Sequence, residues 1–282
     1  MKKIGFIDYY LDEWHARHLP EWIEKASDGE MKVAYAYGLT DAPNGLGNAE
    51  WCEEMGIELL DSIEAVVERS DYIAVLSPDH PEMHERLADL PLRSGKPTFV
   101  DKTFAPDRAV AVRLFDLARA HGTPVFSSSA LRYAPEYAAE LERSGGRRIE
   151  TLCSQGSGLF GNYAIHQLEP IVALMGADAR RIMFIGSDRT PALLIDYLDG
   201  RKATMHMLQD SPFRLAFQYE EGSSALAAAE ADFFAPFVRD LVRFYRTGVS
   251  SVDPAETIAV IQLIEYGRKA AERPFEWVEL PK

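Results

Sequence analysis

The sequence predicts an α/β protein in two parts, a doubly wound parallel sheet over residues 1–124 and an α+β domain with a mainly antiparallel sheet over residues 125–282. Three observations carry this. The first half contains short uninterrupted apolar runs such as Tyr72 to Leu76, which belong inside a parallel sheet covered on both faces. Those runs alternate with stretches of helical pattern. After Ser144-Gly145-Gly146 the order changes, and strand-like segments follow one another with mainly turns between them.

The elements follow in order. Lys3 to Ile7 reads as a buried strand, a sharp turn occupies Asp8 to Leu11, and helix formers begin at Asp12. MKVAYAYG, Met31 to Gly38, is rich in valine and tyrosine and predicts a second strand. A loop through Pro43, Asn44 and Gly45 leads to a short strand in GIELL, a helix at Ser62 to Arg69 and the strand at Tyr72 to Leu76. Helix Pro81 to Ser94, strand Pro97 to Val100, helix Asp107 to His121 and strand Pro124 to Ser127 continue the alternation, with right-handed crossovers expected. In the second half, Ile149 to Ser154, Arg181 to Ser187, Ala192 to Tyr197, Lys202 to Leu208 and Phe213 to Tyr219 predict strands, interrupted by a helix at about Asn162 to Leu174. Helices at Ala231 to Thr247 and Pro254 to Arg273 follow, and there is no internal repeat or low-complexity stretch.

At 282 residues and 47% hydrophobic, the chain buries a sizeable core. Its formal charge of −14 argues against nucleic acid or an anionic membrane surface as partner, because affinity there rests on a lysine and arginine field. Cys52 and Cys153 are far apart without metal-ligand spacing, which excludes a cysteine zinc site and fits a reducing compartment. The apolar first strand begins at Lys3 and no run approaches the ~20 apolar residues of a membrane span, so a soluble, cytoplasmic protein without a secretory leader is expected.

In a dinucleotide-binding protein the first strand-to-helix turn carries G-x-G-x-x-G; here the three glycine places hold Asp8, Tyr10 and Glu13. Tyr10 would fill the space through which the backbone approaches a pyrophosphate. Asp8, Asp12 and Glu13 put negative charge at a helix start that otherwise attracts phosphate. The same carboxylates cap a helix well, so the turn reads as a self-capped helix start, as a remodelled site that aims Tyr9 or Tyr10 at a ligand, or as a displaced turn that still admits a dinucleotide.

Four segments share a pattern with a known family. YIAVLSP at Tyr72 to Pro78 resembles a fourth strand with its T-P turn, Ser77 standing for threonine; SGKPTFVDKT at Ser94 to Thr103 resembles G-K-x-V-x-x-E-K-P, with Asp101-Lys102-Thr103 for Glu-Lys-Pro. LRYAPEY at Leu131 to Tyr137 is similar to R-[FY]-x-P, and GNYAIHQLEPIVALMG at Gly161 to Gly176 is similar to D-x-x-x-H-x-x-D, with Asn162, His166 and Glu169 at the polar places. Together, in order and over nearly the full length, these resemble the Gfo/Idh/MocA family of sugar and cyclitol dehydrogenases, whose first half is Rossmann-type. The departures are the missing glycines, Gly38 where an acidic residue commonly meets the adenosine ribose, and Thr103 for proline.

The resemblance implies NAD or NADP as cofactor, with Asp8, Tyr9, Tyr10, Ser77, Pro78, Asp101 and Lys102 around it, and a small polyhydroxylated substrate met by Arg132, Tyr133, Tyr163, Gln167 and Glu169. Lys102, Asn162 and His166 are the implied catalytic residues. A dehydrogenase removes a hydroxyl proton as hydride leaves, which suits an imidazole of near-neutral pKa, and Asn162, His166 and Glu169 share one helix face. Lys102, Asn162 and His166 are therefore expected to converge, together with Arg132 or Tyr163; no metal is expected. His15, His18, His84, Trp14 and Trp22 read as packing residues. The leading reading is an NAD(P)-dependent oxidoreductase acting on a sugar, sugar acid or cyclitol secondary alcohol. The rival is a cofactor-independent relative, either a carbohydrate-binding or regulatory protein or a lyase or isomerase using Lys102 and His166. A homodimer or homotetramer through an open sheet face is expected.

Overall fold

The computed structural model describes residues 1–281 as two compact units, Met1–Ser128 with Phe237–Asp253, and Ser129–Pro236 with Pro254–Lys282.

In the first unit, β1 (Lys2–Asp8), β2 (Met31–Gly38), β3 (Glu58–Leu59), β4 (Tyr72–Val75), β5 (Thr98–Val100) and β6 (Val125–Phe126) form one sheet of order β3-β2-β1-β4-β5-β6. Every pairing is parallel. The order reverses between β1 and β4, and ligands of open α/β sheets bind outside the carboxyl ends of the strands at such a point. The connecting helices are α1 (Trp14–Ala26), α2 (Asn48–Met55), α3 (Ile63–Arg69), α4 (His84–Arg93, after a 3₁₀ turn at Pro81–Met83) and α5 (Arg108–His121). Ser62 and Asp107 cap α3 and α5, each side chain accepting a backbone N–H of the first turn. The segment that becomes α2 has no amphipathic run, its buried residues being Asn48, Trp51 and Cys52 among three glutamates, so periodicity does not announce it.

The sequence reading assigns everything after residue 124 to the second half, yet Phe237–Asp253 returns to the first unit. The helix Phe234–Thr247 has a wide apolar stripe, and its rings settle on the parallel sheet. Phe237 approaches Phe99 and Phe126 at 5.9 and 6.2 Å between centroids, and Tyr245 stacks on Tyr72 at 5.0 Å while its hydroxyl donates to the Ile73 carbonyl at 3.1 Å.

The second unit contains α6 (Pro135–Ser144), β7 (Ile149–Gly156), α7 (Phe160–Met175), β8 (Ala179–Phe184), β9 (Ala192–Tyr197), β10 (Lys202–Met207), β11 (Arg214–Tyr219), β12 (Ser224–Ala228), α9 (Pro254–Ala271) and β13 (Trp277–Glu279), with the helix Phe234–Thr247 as α8 in chain order. Its sheet runs β12-β11-β7-β10-β9-β8-β13 and is antiparallel apart from the parallel pair β7 and β10. Leu152, Ala203, Ile195, Ile182 and Phe217 alternate into one face, where they form a core with Leu168 and Val172 of α7 and Leu263 and Ile264 of α9. On the other face, Leu226, Ala216, Cys153, Thr204, Leu194, Met183 and Trp277 stand in register across all seven strands. β12 and β13 escape sequence reading because one is alanine-rich and the other only three residues long.

Gly5, in the middle of β1, lets α3 approach the central strand. A Cβ there would lie 2.4 Å from Val66 Cγ1 and 2.3 Å from Ser70 Oγ. Gly5→Ala is expected to lower stability by about 1–3 kcal/mol, the usual range for overpacking. Urea unfolding followed by circular dichroism measures it, and an unchanged midpoint would contradict the close packing described here.

Candidate functional site

The turn after β1 satisfies itself. An α-helix begins with unpaired backbone N–H groups that must find acceptors. Here Glu13 is the N-cap of α1, and its carboxylate accepts the N–H of His15 at 2.7 Å and that of Ala16. The self-capped reading of the turn is thus the one observed. Burial, more than any neighbouring charge, pushes the Glu13 carboxyl up to about 7. Asp8, 1% exposed, accepts the Tyr9 N–H at 2.6 Å, and burial reinforced by Glu13 holds its carboxyl well above the usual range. Asp12 does not join them. Its carboxylate binds the Arg17 guanidinium at 2.5 Å and the Leu46 N–H at 2.7 Å, and the Arg17 bond holds its pKa low. Of the three acids expected to crowd the helix start as charges, one sits on it, one is buried with a raised pKa and one is neutralised.

The chain after β2 is tied onto the same turn. Leu39 N–H and Thr40 N–H donate to the carbonyls of Asp8 and Tyr9 at 3.0 and 2.9 Å, prolonging the β1–β2 pairing. Asn48 accepts the Leu11 N–H at 3.1 Å and donates to the carbonyls of Gly38 and Thr40 at 3.2 and 2.8 Å. Only glycine fits at 38, since a Cβ would stand 2.3 Å from Asn48 Oδ1. Asp41 accepts the Asn48 N–H at 2.7 Å.

Across the switch point, Tyr9 and Tyr10 pack against His80, at 4.8 and 5.8 Å between ring centroids. Ser77, at the end of β4, is buried with φ of 78°, a left-handed conformation rare for serine, and its hydroxyl donates to the His80 carbonyl at 3.2 Å. Pro78 is half-buried beside it. His84, as expected, is a core residue, its two ring nitrogens 2.5 and 3.0 Å from the carbonyls of Leu76 and Phe104.

Asp101 and Lys102 follow β5 at the carboxyl edge of the sheet. Asp101 is 2% exposed; one carboxylate oxygen accepts the Lys102 N–H at 2.7 Å and the other pairs with Nδ1 of His15. Burial would raise Asp101, but His15 and Lys102 outweigh it and hold it below the usual range. Burial would likewise lower His15, yet Asp101 prevails and keeps the imidazole above its ordinary value. His15, read from sequence as packing, is therefore one half of a charged pair. The available signal was a histidine in the first turn of the helix that follows β1; its partner, 86 positions away, was not readable.

The second unit holds the other candidates. His166 on α7 is half-buried, with Nδ1 2.7 Å from the Ser129 hydroxyl and its ring edge-on to Tyr163 and Phe213 at 5.2 and 6.0 Å. Asn162 and Tyr163 are exposed in the first turn of α7. Glu169 is buried, accepts the Ser129 N–H at 2.6 Å and lies 3.9 Å from Arg132, which also donates to Glu256 at 2.6 Å. Arg180 and Arg181 on β8 pair with Glu279 and Asp196. Tyr133 is half-buried in the 3₁₀ turn Ala130–Tyr133. Gln167, expected to meet a substrate ring, is instead 1% exposed and bridges the Ser154 hydroxyl and the His206 carbonyl at 2.9 and 3.3 Å. A helix residue one position from the exposed face turns into the core. Among the described residues no group of three His, Cys, Asp or Glu is placed to hold a metal, and no helix is long and apolar enough to cross a membrane.

This architecture is that of the Gfo/Idh/MocA-type dehydrogenases, which are its structural neighbours over the full length at low identity. A probable dehydrogenase from Thermotoga maritima aligns with TM-score 0.81 at 13% identity, covering 98% of each chain. The WlbA dehydrogenase from Bordetella pertussis, in complex with NADH and UDP-GlcNAcA, aligns with TM-score 0.80 at 12% identity, over 100% of this chain and 98% of that one. The myo-inositol 2-dehydrogenase from Lactobacillus plantarum gives TM-score 0.77 at 13% identity, with 99% of each chain covered. No family model matches the sequence, and no curated protein matches it either.

The dinucleotide implied by this fold does not fit the turn as it stands. A phosphate on the N-terminus of α1 would need the two N–H groups that Glu13 holds. The loop behind it is closed by Asn48 and Asp41.

Glu13 also sets a pH dependence. A carboxyl raised from 4.5 to about 7 keeps its proton longer in the folded protein, so stability falls as pH rises through that window. Glu13→Gln removes this loss. Its stability relative to the natural protein is expected to improve by up to about 3 kcal/mol between pH 4.5 and 8. Urea unfolding at the two pH values reads it; a difference independent of pH would show that Glu13 titrates normally.

Proposed function

We propose that this protein acts on a sugar, sugar acid or cyclitol by proton transfer at a hydroxyl-bearing carbon, without a resident dinucleotide. The observation that carries the reading is the Glu13 carboxylate on the His15 and Ala16 N–H groups, which takes the anion site for the protein itself. The fold supports the substrate class: one neighbour is a myo-inositol dehydrogenase and another is in complex with a nucleotide sugar. Within the first unit the residue assigned to the chemistry is Lys102; within the second, taken by itself, the candidates are His166 for proton transfer and Asn162, Tyr163, Arg132 and Tyr133 for substrate hydroxyls. The Ser129 hydroxyl orients the His166 ring. Lys102 supplies a cation at the carboxyl end of β5, where open α/β sheets receive ligands.

A second reading, NAD(P)-dependent oxidation of a secondary alcohol, is favoured by the NADH in the WlbA complex and by Lys102 standing after β5. Titration of the purified protein with NAD(H) and NADP(H) by calorimetry separates the two. Dissociation constants no tighter than about 100 μM, roughly −5 kcal/mol, are expected. Submicromolar binding, or cofactor released on denaturing the purified protein, would replace the first reading by the second.

We further propose that two copies associate through the open sheet face of the second unit. Its central row is largely apolar, with Leu226 66% exposed at one end, Cys153 exposed near the middle and Trp277 at the other end. Exposed apolar area of this extent usually marks an interface. Light scattering at micromolar concentration is expected to give a dimer, or a dimer of dimers, and Leu194→Glu to shift it toward monomer. A monomeric natural protein would refute the association.

A further inference from the structure

The sequence pattern singles out Asp8, Asp101 and Lys102 in the first unit but gives no role to His15, the histidine that Asp101 holds. His15 stands in the first turn of α1 with Nδ1 on the Asp101 carboxylate. That carboxylate is buried and fixed by the Lys102 N–H on its other oxygen, so it holds one tautomer and one ring orientation. The ring is backed by Trp14, with centroids 5.3 Å apart. Its remaining nitrogen, Nε2, has no hydrogen-bond partner among the described residues, and the side chain is 17% exposed. Beside the pair lies Asp8, whose Oδ2 is buried and likewise without a partner, close enough that the charges of Glu13 and Asp101 both bear on it.

We propose that His15, oriented by Asp101, is a proton-transferring residue of the first unit that acts on a hydroxyketone at the carboxyl end of the parallel sheet. This rests on the dinucleotide-free reading above and deepens it. An ion pair that served only to staple α1 to β5 would have no need of a partly exposed, unengaged nitrogen on the far side of the ring. The charged groups that bear on His15 are Asp101 and Glu13, which favour the imidazolium, and Lys102, which opposes it. A base with an ammonium close by suits one step. The proton leaves the hydroxyl-bearing carbon for Nε2, the C–H electron pair forms the carbon–carbon double bond of an enediol, and the carbonyl π pair moves to its oxygen, whose charge faces Lys102. The imidazolium then returns the proton to the same carbon as the electron pair on the enediolate oxygen re-forms the carbonyl. Nothing is oxidised overall, so no co-reactant is required.

The test is solvent exchange by the full-length protein in deuterium oxide, with 2-keto-myo-inositol and D-fructose as probes and loss of the proton next to the carbonyl followed by NMR. The natural protein is expected to accelerate exchange at least 100-fold over buffer with one probe or both. His15→Gln and His15→Asn, each checked for fold by circular dichroism, should abolish the acceleration. Asp101→Asn is a positioning change: its exchange should fall, with the midpoint of the pH–rate profile moved to lower pH because the raised basicity of the ring is lost. No acceleration with either probe, or exchange that survives in folded His15 variants, would overturn the assignment. Tight dinucleotide binding alongside His15-dependent exchange would defeat the dinucleotide-free reading alone. Weak dinucleotide binding without exchange would defeat only the role of His15.

Discussion

The remodelled edge of the first unit depends on one requirement: the free N–H groups at the start of α1 must have acceptors. In a dinucleotide-binding relative of this fold a phosphate can meet them from outside. In this chain Glu13 meets them from within. The consequences spread outward. A side chain longer than the usual cap bends back over the turn, Asp8 is sealed at the strand end, and the chain after β2 is drawn in by Asn48 to close the space behind. The arrangement places two acids with raised pKa values side by side, because burial and their mutual repulsion both favour the protonated form.

The same edge carries the opposite electrostatic case. Asp101 is buried and His15 nearly so, and each shifts the other's pKa toward the charged form against the cost of burial. A buried pair of this kind contributes little net stability, since desolvation consumes much of the attraction, but it fixes geometry firmly. It joins α1 to the end of β5 and leaves one imidazole nitrogen presented outward. Stability and positioning are thus divided: the aromatic packing of Tyr72, Phe99, Phe126 and Tyr245 holds the sheet, while the polar groups at its edge are arranged for a ligand.

In the second unit the polar residues of α7 divide by helical phase. Gln167 and Glu169 turn inward and satisfy buried groups of β7, β10 and the Ser129 turn, whereas Asn162 and Tyr163 face solvent and His166 lies between the two environments. Glu169 and Glu256 together hold Arg132, so the arginine of the R-Y-x-P segment is fixed by carboxylates from two helices.

The sequence by itself determined the architecture. Uninterrupted apolar runs separated by helical patterns dictate a covered parallel sheet, and the later change to strands joined by turns dictates the second sheet; these are local signals repeated many times. It also determined that the first turn lacks glycine and is rich in acids. Tertiary structure alone decided what those acids do. Asp12 turns to Arg17 and Leu46, Asp8 is sealed in, and only Glu13 reaches the helix start, because each outcome depends on groups contributed by the loop after β2 or by the folded end of β1. Helix α8 returns to the first sheet by setting Phe237 on Phe99 and Tyr245 on Tyr72, and no local pattern specifies that choice. The pairing of His15 with Asp101 was invisible for the same reason: two strand ends far apart in sequence become neighbours only when the sheet order reverses between β1 and β4.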